Sequence, residues 1–192
     1  TIQLTMRGTP FLFQGQELAA INQSFAGVEE LRDVESINRH QALVGGGMAP
    51  EAAWAQILAG SRDHSRVPIR WSPDGGFTEG TAWLMGTDTE PGFSAEEQVA
   101  DPDSVFSWHK ALIRLRRNHR ALTIGALKWV HPHHKFYFAY YRKLAGEVFL
   151  IECNTSAKQR PRPHVGGTIV PVMGGPRRPV MEPWEATVSR VF

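Results

Sequence analysis

The spacing of apolar residues changes once along this chain, near residue 125, and that change limits the fold more than any other feature. Upstream, Val105, Trp108, Leu112 and Leu115 recur at helical spacing. They predict a helix over about 104–118 with one buried face. Asp103 or Ser104 can cap its start. Arg114, Arg116, Arg117 and Arg120 gather at its end, where positive charge favours the helix dipole, and a solvated basic end is expected. Downstream the period is two. Phe136, Phe138 and Tyr140 alternate with Tyr137, Ala139 and Tyr141. Ala145-Gly146 reads as a turn and Glu147 to Cys153 as the second strand of a hairpin. Thr168 to Met173 and Trp184 to Phe192 are further strand candidates. Strands with no helix between them argue for an antiparallel β-sandwich over 126–192, packed on the helix 104–118.

Residues 1–125 are organised differently. Residues 1–7 read as the end of a helix, stopped by Gly8 and the Thr9-Pro10 turn. Phe11-Leu12-Phe13 is a short, wholly apolar run of the kind that forms strands buried on both faces of a parallel sheet. Val28–Leu31 and Ile37–Leu43 are short helix candidates. Pro50 to Ala59 has proline at its start and Gly60 after it, both helix-end signals. Residues 61–100 are rich in Gly, Pro, Asp, Ser and Thr and read as a long loop, of the kind that carries function. Trp71, Phe77 and Trp83 lie in it. Sugar stacking is one role for them, but core packing is the expectation, because most buried aromatics are core.

Composition excludes several classes. Of the 192 residues, 42% are apolar and 21% charged, ordinary for a packed globular chain of one large or two small domains. The formal charge is +2, so the pI near 8.9 is a weak argument for a polyanionic partner. The Arg114–Arg120 run lacks the wide basic face and interleaved aromatics of a nucleic-acid site. No apolar run approaches the roughly 20 residues that span a bilayer, so neither nucleic acid nor membrane is expected as a partner. Cys153 is the one cysteine, which precludes an intrachain disulfide and fits a reducing compartment; the cytoplasm is expected. His131, His133 and His134 form a cluster without a second ligand pair, and a structural zinc site needs four ligands. A turn between strands is the expected reading, with no metal and no cofactor.

Three segments, in this order, resemble those of one family. Arg7-Gly8-Thr9-Pro10-Phe11-Leu12-Phe13-Gln14-Gly15-Gln16-Glu17 is similar to the GTPFxYQGEE segment of α-glucosidases. Ser61-Arg62-Asp63-His64-Ser65-Arg66-Val67-Pro68-Ile69-Arg70-Trp71 is similar to their RDNARTPMQW segment, followed here by Gly76-Phe77-Thr78 and Trp83-Leu84. Asp101-Pro102-Asp103-Ser104-Val105-Phe106, running on to Leu112-Ile113-Arg114-Leu115-Arg116, resembles DPDSIF…LIxLR. The chain is thereby identified as resembling the C-terminal part of an α-amylase-superfamily α-glucosidase of the oligo-1,6-glucosidase branch. That branch also holds dextran glucosidases, trehalose-6-phosphate hydrolases and sucrose isomerases. The resemblance covers residues 1 to about 122. Gln16, Phe13, His64-Ser65, Val67 and Arg70 depart from the family pattern, as does Met85-Gly86-Thr87-Asp88 in a loop that borders the substrate entry in relatives.

The resemblance implies the fold class: an α/β segment, the last strand and helices of a (β/α)8 barrel, over 1–125, then an all-β antiparallel sandwich domain over 126–192. It implies an exo-acting, retaining α-glucosidase whose substrate is a short α-glucoside oligosaccharide and whose partner is the remainder of the barrel. It also implies that the nucleophile, the acid/base and the stabilising Asp lie upstream of Thr1, so the chain alone is expected to be inactive. Asp33 with Glu35, or Glu29 with Glu30, are local carboxylate pairs, but solvated surface carboxylates are the expectation for them. The resemblance places Arg62 at the base of the pocket for the non-reducing glucose, paired with an Asp from an early barrel loop. A guanidinium suits that place as a rigid fork of donors. Arg66 is a second candidate, shaping the loop, and Asp63 a turn or cap residue. An inert structural module, a sucrose isomerase or transglycosylase, and a non-catalytic relative on the same scaffold remain as rivals.

Overall fold

The computed structural model describes residues 1–84 and 91–192; the Met85–Asp88 departure falls outside the described residues. The helices are α1 (Ile2–Thr5), α2 (Val34–Gly45), α3 (Pro50–Leu58), α4 (Ala95–Ala100), α5 (Val105–Asn118) and α6 (Arg120–Thr123). Short 3-10 helices cover Gln16–Leu18, Val28–Glu30 and Arg62–Ser65. The strands are β1 (Ala126–Val130), β2 (Tyr137–Leu144), β3 (Glu147–Asn154), β4 (Arg160–Pro161), β5 (Ile169–Met173), β6 (Val180–Met181) and β7 (Ala186–Val191). The chain forms two compact units, one of Leu12–Trp108 and one of Thr1–Phe11 with His109–Phe192.

In the second of these units, five strands form an antiparallel sheet in the order β1-β2-β3-β7-β5, and β4 pairs with β6 in a separate ladder. Gly146, at φ 79°, closes the β2–β3 hairpin, and the segment holding His131, His133 and His134 is the turn between β1 and β2. Alternation gives the sheet two faces. On one, Tyr137 and Ala139 pack with Val130 and with Met181 from the ladder. The wholly buried Glu152 carboxylate accepts hydrogen bonds there from the Tyr137 hydroxyl at 2.7 Å and from Arg177, and pairs with Arg162 at 3.0 Å. On the other face, α6 packs against β2 and β3, and α1 against β3.

Buried guanidiniums close that second face. Arg142 donates to the carbonyls of Thr5, Leu122 and Gly125 at 2.5, 2.7 and 3.0 Å. Arg116 donates to Leu4, Met6, Leu122 and Gly8 at 2.5–3.0 Å. Helices α1 and α6 are each only a turn long, so most of their carbonyls have no intrahelical partner; the forked cations take several of them. Arg116 therefore does not share the solvated basic end expected for it. It turns inward because uncapped carbonyls lie within reach, while Arg114, Arg117 and Arg120 are exposed. Leu112 of α5 is fully buried, whereas Val105 is 37% exposed.

The other unit is built on α2 and α3, which pack together. Its core is Phe25, Leu31, Ile57 and Leu84, with Ile37, Leu43, Trp54 and Val67 against them. The segment expected to be loop also contains α4. Ser94 Oγ accepts the Glu97 N–H while the Glu97 carboxylate accepts the Ser94 N–H, a reciprocal cap.

Two expectations fail in these regions. Phe11-Leu12-Phe13 forms no strand and is exposed at 82%, 42% and 55%. A strand exists only as part of a ladder, and the described residues offer this run no parallel neighbour. Trp71, Phe77 and Trp83 are more than half exposed rather than core. They lie on a stretch whose regular structure is limited, among the described residues, to the Ser72–Gly75 bridge.

Candidate substrate-binding site

The RD segment follows directly on α3. Ser61 caps its 3-10 turn, Oγ accepting the Asp63 N–H at 3.3 Å. Asp63 is completely buried. Its carboxylate accepts the N–H groups of Arg32 and Asp33 at 2.6 and 2.8 Å and a bond from Arg66 Nη1 at 3.2 Å. Asp63 is thus more than a turn residue: it fastens the RD turn to the start of α2, thirty residues earlier.

That fastening sets Asp33, the N-cap of α2, beside Arg62. Both Arg62 Nε contacts, at 3.1 and 3.2 Å, and the Nη2 contact fall on the Asp33 carboxylate. Ser36 Oγ donates to the same carboxylate at 2.8 Å. Asp33 is only 3% exposed, so the solvated reading of this carboxylate is corrected. Burial is tolerated because a bidentate cation, a hydroxyl and the positive end of a twelve-residue helix all face it. The Arg62 hydrogen bonds hold its pKa down at about 2, against the opposing effect of burial. Glu29, Glu30 and Glu35 are exposed as expected; Glu35 reaches Arg62 Nη2 at 3.2 Å from a side chain 75% exposed.

Arg62 itself keeps 55% of its side chain exposed. Asp33 occupies its Nε–Nη2 edge, and among the described residues Nη1 has no protein partner. Arg66 is bound inward, to Asp63 at 3.2 Å and near Asp33 at 3.7 Å. Arg62 is therefore free to meet a ligand at one end, whereas Arg66 braces the turn.

The neighbouring His64 is fixed from both sides. The Gln23 N–H donates to Nδ1 at 3.0 Å, which leaves Nε2–H to donate to the Leu58 carbonyl at 2.5 Å. His64 and Ser65 line a cavity of about 670 Å³, together with Gln23, Arg70, Phe77 and Glu97 among others; Arg62 and Arg66 are not in its wall. Among the described residues no group of three or more His, Cys, Asp or Glu could hold a metal ion.

Residues 1–125 match the family model of the alpha amylase catalytic domain. The chain belongs to the α-amylase family. Within the family it is 33% identical over 156 residues, 80% of this chain, to an oligo-1,6-glucosidase from Halalkalibacterium halodurans. It is 36% identical over 148 residues, 76% of this chain, to a trehalose-6-phosphate hydrolase from Bacillus subtilis. The matched regions are 28% and 26% of those enzymes, so this α-amylase-family chain spans little more than a quarter of the curated relatives it matches. The trehalulose synthase MutB of Pseudomonas mesoacidophila superposes with a TM-score of 0.89 at 30% identity, over 100% of this chain and 37% of MutB. An isomaltulose synthase mutant from Erwinia rhapontici, in complex with D-glucose, gives 0.87 at 28% identity over 99% of this chain and 36% of its own. A MutB mutant was crystallised with its substrate sucrose. The family assignment and the fold class, helices of the catalytic-domain segment followed by an antiparallel β domain, agree with the sequence.

Proposed function

We propose that these residues are the C-terminal portion of a retaining, exo-acting α-glucosidase that hydrolyses short α-glucosides, and that Arg62 grips the terminal glucose. In this reading 1–125 completes the barrel domain and 126–192 is the β domain that follows it in the chain. The family match ending at 125 and the first strand starting at Ala126 support that division. The nucleophile, acid/base and stabilising carboxylate belong to the rest of the full-length protein, which is the partner of this chain.

The observation that carries the proposal is Arg62: a half-exposed guanidinium, in the RD motif of an α-amylase-family chain, anchored at one edge to a buried carboxylate. Such a group donates to sugar hydroxyls without the cost of a buried, unpaired charge. Closing a pocket behind the last sugar confines the enzyme to chain ends. The full-length protein is expected to release glucose from isomaltose and from p-nitrophenyl α-glucoside, with Arg62→Ala severely impaired. Internal cleavage of long glucans ahead of glucose release would refute the exo-acting reading. We place the enzyme in the cytoplasm, a reading supported by Cys153, which is buried as a free thiol.

A sucrose isomerase is the second reading, favoured by the likeness to MutB over the whole chain. Incubation with sucrose separates the two: a hydrolase yields glucose and fructose, an isomerase a rearranged disaccharide.

A further inference from the structure

A guanidinium can be held along its Nε–Nη2 edge and still present Nη1 outward. Arg62 is in that state. Asp33 takes Nε and Nη2, and Nη1 has no protein partner among the described residues. Asp33 is itself immobilised. Ser36 Oγ donates to its carboxylate, and its N–H is bound to the wholly buried Asp63. Glu35 also touches Nη2, but from an exposed side chain that solvent competes for.

We propose that Asp33 is a positioning residue that pre-orders Arg62, holding its Nε–Nη2 edge so that Nη1 is presented to a glucose hydroxyl. The proposal rests on the reading of Arg62 as a substrate-binding group. An unanchored arginine samples many rotamers, and ordering it on binding subtracts from affinity. Asp33 has that ordering done before substrate arrives. Asp33 is ionised through the neutral range as an ordinary Asp is, and Arg62 draws its pKa lower still, so the clamp does not open with ordinary changes of pH.

Asp33 also stands at the N-cap position of α2, where its charge faces the helix start although its side chain makes no capping hydrogen bond, so a purely structural role must be distinguished. The test is a double-mutant cycle in the full-length enzyme, reading kcat/KM on isomaltose for Asp33→Asn, Arg62→Ala and the pair, with thermal midpoints alongside. A residue that acts through Arg62 is silent once Arg62 is gone. Asp33→Asn is expected to lower kcat/KM about tenfold when Arg62 is present and less than about twofold in the Arg62→Ala background. Asp33→Glu keeps the negative charge at the helix start but lengthens the arm by a methylene; it is expected to fold, to lose less than Asp33→Asn, and to lose it only where Arg62 is present. Equal losses in both backgrounds, no loss at all, or failure of both variants to fold would overturn the positioning role. If Arg62→Ala is damaging and Asp33→Asn harmless, only the positioning role falls. If Arg62→Ala is itself harmless, the substrate role of Arg62 falls, and the positioning role with it.

Discussion

Arg62 and Asp33 share one ion pair but contribute to different quantities. Arg62→Ala removes charge-assisted hydrogen bonds of roughly 1.5–3 kcal/mol each. A loss of about 3 kcal/mol from the transition state lowers kcat/KM on the order of 100-fold. Arg62→Lys is expected to recover little, since an ammonium cannot satisfy Asp33 and a sugar with one planar fork. Turnover of Arg62→Lys near wild type would contradict this. Asp33 instead governs acid stability. Its folded pKa, about 2, lies below the value of 3.8 normal for Asp. The stabilisation it gives is complete above about pH 4 and is lost as pH falls toward 2. Urea unfolding from pH 5 to 2 is expected to show the difference between wild type and Asp33→Asn shrinking over that window; a constant difference would exclude Asp33 as its source. Arg62 was legible because a motif marked it. Asp33 was not, because its burial comes from Asp63 fastening two distant segments, and an Asp beside a helix start reads as solvated from sequence alone.

Among the elements, the two buried arginines hold the shortest helices. Arg142→Met takes their guanidinium donor from the Thr5 and Gly125 carbonyls, while Leu122 keeps Arg116, and orphaned buried groups cost more than the bond itself was worth. The unit holding the strands is expected to lose about 3 kcal/mol or more, read as a lower urea midpoint. An unchanged midpoint would show that water or Arg116 replaces the lost donors. The elements that sequence anticipated well carry either a clear period or clear end signals: α5, β2, β3, β5 and β7, and α3, whose Pro50 start and Gly60 stop marked it. Those it missed lack a period. Strands β4 and β6 are two residues each, too short for any alternation. Helix α4 was concealed by the polar, Gly- and Pro-containing stretch around it, although Ser94 and Glu97 have the spacing of a capping box. Phe11–Phe13 shows the reverse case, strand-like residues without a ladder to join.

At the scale of the whole molecule, membership in the α-amylase family rests on a match to residues 1–125, while the activity proposed for the full-length enzyme draws on residues beyond these. Retaining hydrolysis needs two carboxyl groups roughly 5 Å apart across the scissile bond. Asp33, the buried candidate here, is already committed to Arg62. The 192-residue chain alone is therefore expected to release no glucose, even though it carries the Arg62 site. The most direct measurement is NMR of the products formed from isomaltose, comparing the isolated chain with the full-length enzyme and reading the anomer released first. The expected result is α-glucose from the full-length enzyme and no turnover by the isolated chain. Saturable hydrolysis by the isolated chain, or β-glucose as the first product of the full-length enzyme, would contradict it.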